Sequence, residues 1–204
     1  MLPGFDFAEF VRTYGPAIGY VLLFGIVFAE SCLVFFLPGD SLLFTAGVLS
    51  SLGFLSLWVC VVGVTAAAVL GNGLGYWIGY RVGRRLFQSP RSRLFRPEHL
   101  ARAEAFYEKH GGKTIVLARF VPVVRTFAPI VAGMGSMTYP RFAAFNIAGG
   151  ALWALSMVGG GYAFGSVLSP EQVDRFLLPV IAAIVVISLA PAALHLYQER
   201  RAHR

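Results

Sequence analysis

The stretch ARFVPVVRTFAP, residues 118–129, decides how this chain folds. It is almost entirely apolar, yet it holds Arg119 and Arg125 and is interrupted by Pro122 and Pro129. Arginine is costly in hydrocarbon, and proline disrupts a helix because it lacks an N–H and clashes with the preceding turn. Both features predict a helical hairpin that is broken inside a membrane, with the two prolines at its tip and the arginines facing a polar cavity.

The composition of the 204-residue chain is that of a membrane protein. Apolar residues make up 57% of it and charged residues 13%, whereas about a quarter of an average soluble domain is charged. Several segments approach or exceed the roughly 20 apolar residues that cross a bilayer as a helix. Segments of about ten alternating residues, typical of a membrane β-barrel, are not seen. We therefore expect one all-α, polytopic membrane domain over residues 1–204.

The formal net charge of +7 comes from clustered basic residues. Nine Lys and Arg but only three Glu lie between Arg81 and Lys113, and the C-terminal ERRAHR adds three Arg. Neither cluster has the pattern of a nucleic-acid-binding motif, so no nucleic-acid partner is expected. Basic loops next to spans mark the cytoplasmic side of a membrane. The clusters therefore predict a cytoplasmic loop at 81–112 and a cytoplasmic C-terminus. The N-terminus has no basic region of a cleavable signal peptide.

A second interrupted segment, residues 29–53, precedes the first full span. It holds Glu30, and its Pro38, Gly39 and Asp40 form a turn signal. The apolar runs on either side of that turn are too short to be two spans. They fit a re-entrant hairpin whose tip, at Pro38 and Gly39, lies inside the membrane.

The two hairpins belong to an internal repeat. A shift of 86 residues superimposes Ala46-Gly47 on Ala132-Gly133 and a G-x-G-Y-x-x-G run at 73–79 on the same run at 159–165. Because one full span, 54–80, separates the hairpins, they must enter from opposite faces. That is the inverted-repeat plan of many secondary transporters, which place their site between the repeats.

The predicted organisation follows from this repeat. Its parts are repeat 1 at about 29–80, a cytoplasmic amphipathic linker at 81–112, repeat 2 at about 113–168, with its span at 141–168, and a C-terminal transmembrane helix at 176–198. Residues 7–28 form a helix that either spans the membrane or lies at its interface.

Four charged residues remain at membrane depth, namely Glu30, Asp40, Arg119 and Arg125. Each costs roughly 2.5–3.5 kcal/mol at a helix centre unless it is paired or hydrated. Hairpins that meet at their tips would bring acids and bases together. Two neighbouring guanidinium groups make a fork for a phosphate, and the two acids are candidates for proton uptake. The alternative is an ion-pair network that only holds the hairpins together.

The remaining polar residues give weaker signals. Asn72 and Asn146 either line the cavity or join two helices by a hydrogen bond. Tyr76, Trp77, Trp153 and Tyr162 are interpreted as packing or interface aromatics. Cys32 and Cys60 are interpreted as core residues, and no metal site or cofactor is expected.

The histidines argue against an enzyme. A membrane lipid-phosphate phosphatase would need a histidine near its arginines. The four histidines lie in the polar loop or near the C-terminus, at His99, His110, His195 and His203. We therefore expect no enzymatic activity.

Three motifs resemble the DedA family (SNARE-associated or VTT domain). They are Glu30 followed by P-G-D at 38–40, G-N-x-x-G-Y at 71–76, and R-F-x-P-x-x-R at 119–125. The last is followed by Ala132-Gly133, Met137, Phe142, Asn146 and Trp153, so that the resemblance covers roughly residues 15–195.

The resemblance implies a lipid transporter of the bacterial inner membrane. Members of the family are associated with returning undecaprenyl phosphate across the membrane, with flipping phosphatidylethanolamine and with envelope homeostasis that depends on the proton motive force. The eukaryotic relatives are lipid scramblases. The essential acids of the family correspond to Glu30 and Asp40, and its essential arginines to Arg119 and Arg125.

The sequence thus predicts a proton-linked flippase for a lipid phosphate, with membrane lipids and protons as its partners. The arginines would hold the phosphate, and the acids would bind the coupling proton. Alternatives are a phosphatidylethanolamine flippase, a phospholipid scramblase, a proton-dependent cation antiporter, and a structural or assembly protein. A homo-oligomer is left open.

Overall fold

The computed structural model describes residues 13–32, 39–83, 112–120, 122–135 and 137–168, together with residues 172, 179–180 and 182–183. Every regular element in these ranges is helical, which confirms the all-α class for the described part of the chain. In chain order the elements are α1 (Pro16–Cys32), α2 (Gly39–Ser51), α3 (Leu57–Ile78) with a π-helical turn after it (Gly79–Gly83), α4 (Lys113–Ala118), α5 (Pro122–Met134) and α6 (Tyr139–Val167).

Two of these helices are long and apolar enough to cross a membrane. They cover Leu57–Arg81 and Tyr139–Val167, 25 and 29 residues, and match the spans predicted at 54–80 and 141–168. Large apolar side chains on α3 are exposed, among them Trp58, Val62 and Leu70. Such outward-facing apolar surface suits a helix whose neighbours are lipid chains.

Helix α1 differs from the predicted start of the first hairpin. Gly15 has φ +85°, a left-handed conformation that glycine adopts without strain, and Pro16 then opens the helix with its preset φ. From there α1 runs without a break to Cys32 and carries Glu30 in its last turn. The helix therefore continues to Cys32, past residue 29, near which the sequence predicts the first hairpin to begin.

Helix α2 is closed by a glycine motif. The N–H of Gly53 donates to the Ser50 carbonyl at 3.2 Å, and the N–H of Phe54 donates to the Leu49 carbonyl at 3.0 Å. Gly53 has φ +83°. This is the Schellman arrangement, which satisfies the last carbonyls of the helix and requires a residue that tolerates a left-handed backbone. The motif fixes where the chain leaves α2 for α3.

The predicted second hairpin is a pair of helices, α4 and α5, with Arg119 as the C-cap of α4. Pro122 is the first residue of α5, where its missing N–H costs nothing. Pro129 lies inside α5 and does not mark a tip, contrary to its predicted place. A proline within a helix is tolerated at membrane depth when neighbouring elements compensate for the lost backbone bond, and Pro129 is buried.

The chain divides into two compact units, which comprise residues 1–26, 36–64 and 152–204, and residues 27–35 and 65–151. We call them the first and the second unit. In the first unit, α2 crosses the second half of α6 so closely that a Cβ at Gly47 would meet the Val158 carbonyl, and one at Gly161 would meet the Phe44 carbonyl. The rings of Phe44 and Phe164 pack beside this crossing, with 5.5 Å between their centroids.

The second unit repeats the same crossing with α5 and α3. A Cβ at Gly133 would meet the Tyr76 carbonyl, and one at Gly79 would meet the Ile130 carbonyl. The apolar core of this unit lies around Tyr76, whose ring stacks on Phe142 at 4.6 Å. The other members of the core are Ile115, Ala118, Ala128, Ala132 and Met137.

In the two glycine crossings, the equivalent positions on the spans are shifted by one helical turn from the predicted 86-residue frame. The hairpin helices keep the frame of 86 residues, since Gly47 corresponds to Gly133 and Phe44 to Ile130. Their partners on the spans, Gly79 and Gly161, are only 82 residues apart. The physical reason is that α3 and the π-helical turn carry the G-Y-x-x-G pattern twice in tandem, at 75–79 and 79–83, whereas α6 carries it once, at 161–165.

Several predicted features lie outside the described residues. They are the tip residue Pro38, most of the linker at 81–112, most of the C-terminal helix at 176–198 and residues before 13.

Candidate functional site

Five of the predicted polar residues come together in the second unit. Glu30 comes from the last turn of α1, Asn72 from α3, Arg119 from the end of α4, Arg125 from the first turn of α5 and Asn146 from α6. Four of the five side chains are buried, and Arg125 is partly buried. We call this group the arginine cluster.

Glu30 and Arg125 form an ion pair between Glu30 Oε1 and Arg125 Nη2. The Glu30 side chain is 3% exposed and that of Arg125 is 13% exposed. Removing one partner of such a pair leaves a poorly solvated charge, which is far more costly than losing both. The pair therefore ties α5 to the end of α1, and a competing anion would have to replace the carboxylate.

Arg119 is held by two asparagines. Its Nη2 donates to Asn146 Oδ1 at 2.5 Å and to the Asn146 carbonyl at 3.3 Å, while Asn146 Nδ2 donates to the Val69 carbonyl at 3.0 Å. We assign the Asn72 amide with its oxygen toward Arg119 Nη2 at 3.0 Å and its nitrogen toward the Ser31 carbonyl at 3.0 Å, because this orientation satisfies both contacts. The opposite orientation instead lets Asn72 Nδ2 donate to Asn146 Oδ1 at 3.2 Å, which joins α3 to α6 as one of the two sequence interpretations proposed. Neutral amides thus orient the guanidinium group and leave its charge uncompensated.

The Arg119 guanidinium group keeps one donor atom without a ligand in the described part of the chain. Arg119 is 4% exposed, and its buried Nε has no hydrogen-bond partner among the described residues. Buried donors in proteins are nearly always paired. The atom is therefore available to a hydrogen-bond acceptor that enters the site.

Two glycines of α6 make room for the same guanidinium. A Cβ at Gly149 would lie 3.4 Å from Arg119 Nε, and one at Gly150 would lie 3.4 Å from Arg119 Nη2. Neither glycine is among the residues predicted from the sequence, although the A-G-G run soon after Asn146 on a span is the available signal. Small residues at this place let a planar cation lie against the helix.

Asp40 belongs to the first unit, in the first turn of α2. Its Oδ1 accepts a hydrogen bond from Trp153 Nε1 at 3.1 Å. The sequence predicts Trp153 to be a packing or interface residue, because no local pattern distinguishes an indole that donates to a distant carboxylate from one that only packs. The two predicted acids therefore have different surroundings, since Glu30 meets an arginine and Asp40 meets an indole.

The arginine cluster carries excess positive charge. Its two arginines lie close enough to act on each other electrostatically, and its one carboxylate is that of Glu30. Buried like charges repel strongly in a medium of low polarity. An anion with several acceptor oxygens would relieve this repulsion, and guanidinium groups suit phosphate in particular.

The described residues offer no comparable place for a metal ion. Over the part of the chain that the structure covers, no three His, Cys, Asp or Glu side chains group as metal ligands would. Cys32 and Cys60 are buried free thiols.

Known proteins are similar to this chain along nearly its whole sequence. The model of the VTT domain matches residues 37–163. Protein DedA of Escherichia coli (strain K12) is 48% identical over 199 residues, which is 96% of this chain and 89% of that protein. Uncharacterized membrane protein Rv0364 of Mycobacterium tuberculosis is 44% identical over 86% of this chain and 79% of its own length. No solved structure matches the chain.

Proposed function

The chain belongs to the VTT-domain family of membrane proteins and is similar to protein DedA, and we propose that it is a proton-linked flippase for a lipid phosphate. Undecaprenyl phosphate is the substrate that we favour. One observation carries the proposal: a buried arginine, Arg119, has an unpartnered Nε in the described part of the chain and a second arginine, Arg125, close by.

In this proposal the phosphate group binds between the two guanidinium groups. Its oxygens accept from Arg119 Nε and displace Glu30 from Arg125, while the lipid tail stays in the hydrocarbon. Asn72 and Asn146 keep Arg119 oriented throughout, because their contacts are to Nη2 and leave Nε available. Charge-assisted hydrogen bonds of this kind are about twice as strong as neutral ones.

The acids supply the coupling to protons. Glu30 competes with the phosphate for Arg125, so that protonation of Glu30 and phosphate binding favour each other. Asp40 is the second proton site, in the first turn of α2. Proton release from Glu30 would then return Arg125 to its resting partner and expel the phosphate.

The alternative substrates are weighed by charge. A phosphatidylethanolamine flippase or a phospholipid scramblase would use the same arginines, because those lipids also carry a phosphate. A proton-dependent cation antiporter fits less well, since the arginine cluster has two cations and one carboxylate. The non-enzymatic assignment rests on the sequence, because all four histidines lie outside the described residues.

The proposal includes the membrane arrangement. The chain is placed in the bacterial inner membrane, with the loop at 81–112 and the C-terminus in the cytoplasm and with the two hairpins as an inverted repeat. The nearly equivalent glycine crossings of α2 on α6 and of α5 on α3 support the repeat.

The test is reconstitution in liposomes. Labelled undecaprenyl phosphate, phosphatidylethanolamine and a neutral polyprenol of equal length are each followed between leaflets, with and without a pH gradient. We expect exchange of the polyprenyl phosphate, acceleration by the gradient and none for the polyprenol. Equal exchange of all three lipids would contradict a phosphate site, and Arg119→Gln, which should abolish exchange, identifies the site responsible.

A further inference from the structure

Trp153 is a described partner of Asp40, and we propose that it is a positioning residue for proton binding at that carboxyl group. The inference rests on the proposed function, in which Asp40 takes up the coupling proton. The Trp153 side chain is 3% exposed, and its Nε1 donates to Asp40 Oδ1 at 3.1 Å. Both residues lie in the first unit, on α6 and α2.

The chemistry of the indole suits this role. Its N–H can only donate, and a carboxyl oxygen accepts that bond whether the group is ionised or protonated. A buried ring with two side-chain torsions has little freedom to turn away. Trp153 therefore holds the carboxyl group in one orientation through proton binding and release.

The transport test compares Trp153→Phe, which removes the N–H and keeps a ring, with Trp58→Phe on the exposed face of α3. We expect Trp153→Phe to reduce the acceleration of flipping by a pH gradient about tenfold and Trp58→Phe to leave it unchanged. In an Asp40→Asn background the Trp153→Phe change should add no further loss. A full response to the gradient, or an additive loss, overturns the proposal.

A second measurement needs no transport. Trp58→Phe and Trp77→Phe leave Trp153 as the one fluorescent tryptophan among the three of the chain. We expect its emission maximum to shift when Asp40→Ala removes the acceptor, and not with Ser156→Ala on the same helix. An unshifted emission refutes the contact, whereas a shift without flipping by the wild-type protein refutes the proposed function alone.

The glycine crossing of the second unit carries an independent inference. Helix α5 lies on Gly79, but the tandem G-Y-x-x-G pattern places another glycine, Gly75, one turn earlier on α3. Gly75 also faces α5, since a Cβ there would lie 3.5 Å from Pro129 Cβ and 3.7 Å from Ile130 Cγ1. The π-helical turn Gly79–Gly83 begins at the occupied position, and π-helical turns frequently occur at functional sites.

We infer that α5 can move along α3 by one turn, about 5.4 Å, from Gly79 to Gly75. The first unit crosses at its one G-Y-x-x-G pattern, whereas the second unit crosses at the later of two. The backbone contact at Ile130 can therefore form at either glycine without a side chain in the way. Such a step would carry Arg125, on the same helix, along α3 with its bound phosphate.

Two alanine variants on α3 test whether α5 makes this step during transport. An alanine at Gly75 makes only ordinary contacts in the present arrangement, but after the step its Cβ would meet the Ile130 backbone as one at Gly79 does now. Gly73 is the control, because a Cβ there meets nothing within 4 Å. We expect Gly75→Ala to melt like the wild type and to slow flipping about tenfold or more, and Gly73→Ala to flip normally. Wild-type flipping by Gly75→Ala overturns the step.

Distance measurement tests the step without transport. Spin labels at Leu74 of α3 and Val124 of α5, both exposed, are placed in a background without Cys32 and Cys60. A polyprenyl phosphate should add a second distance, different by up to about one turn, which Gly75→Ala should remove. One unchanged distance with and without the lipid contradicts the inference even if the protein flips lipids.

Discussion

Asn146 holds Arg119 by accepting from its Nη2 at 2.5 Å, with the amide itself anchored to the Val69 carbonyl at 3.0 Å. The Asn146 side chain is neutral, so it fixes the direction of the guanidinium group without cancelling its charge. A carboxylate in the same place would do both. This difference distinguishes a site that binds an anion from one that only stabilises the fold.

Asn146→Asp should therefore bind lipid phosphate poorly, and it also loses the hydrogen bond that the amide donates to the Val69 carbonyl. The new carboxylate would pair with Arg119 and compete with the phosphate, and we expect the affinity to fall about tenfold or more. Binding of a short-chain polyprenyl phosphate to purified protein measures it. Thr138→Asp is the matched control, because it adds the same charge at the exposed start of α6, where Asp is a good helix cap. Unchanged affinity in Asn146→Asp would place the phosphate away from Arg119.

Arg125→Lys tests whether geometry matters beyond charge. Lysine keeps the positive charge but loses the planar fork that binds a carboxylate or a phosphate through two bonds. We expect most transport to be lost while the protein still inserts and purifies. Arg141→Lys, at an exposed position of α6, should transport normally. Near-normal transport by Arg125→Lys would indicate that Arg125 serves only charge balance in the ion pair with Glu30.

Asp40→Asn should uncouple transport from pH. The amide mimics the protonated carboxyl group and can still accept from Trp153, so the local contact survives. We expect the variant to bind lipid phosphate at least as tightly as the wild type, with a flipping rate that no longer changes between about pH 5.5 and 8.5. If the variant keeps the wild-type pH profile, the coupling proton binds elsewhere, and Glu30→Gln is the next variant to measure.

The inverted repeat predicts that the two hairpins enter from opposite faces. Single cysteines at Phe54 and Lys113, both exposed, should react with an impermeant reagent from opposite sides of the membrane. These positions are better than the neighbouring glycines, because Gly53 has a left-handed backbone and a side chain at Gly112 would collide with the Phe145 ring. Labelling of both from outside intact cells would exclude the inverted arrangement.

The sequence predicted the elements better than their contacts. The spans and the break at Pro122 could be predicted because length, apolarity and proline act locally. The continuity of α1 through Glu30 could not, since charge at membrane depth suggested a boundary that tertiary pairing with Arg125 made unnecessary. Pro129 likewise looked like a helix end but is accommodated within α5.

The polar contacts were predicted only by residue type. Acids and arginines at membrane depth had to find partners, but nothing local indicates that Arg119 would choose the amide of Asn146 or that Asp40 would choose Trp153. The register of α5 on α3 was ambiguous for a definite reason, because the G-Y-x-x-G pattern occurs there twice. The packing of α5 against α3 selects one of these two equivalent patterns, and the sequence alone does not distinguish them.

The shortness of α2 and α5 has a consequence for how the protein is made. Each has 13 residues, a length of about 20 Å, whereas the hydrocarbon core is about 30 Å thick. Neither can enter the membrane as a stable independent segment. The long helices α3 and α6 must be inserted first, and the short ones must dock later on their glycine faces, where backbone meets backbone. Assembly should therefore proceed in two stages, and a bulky residue at Gly47 or Gly133 should arrest it after the first, leaving an inserted but protease-sensitive chain.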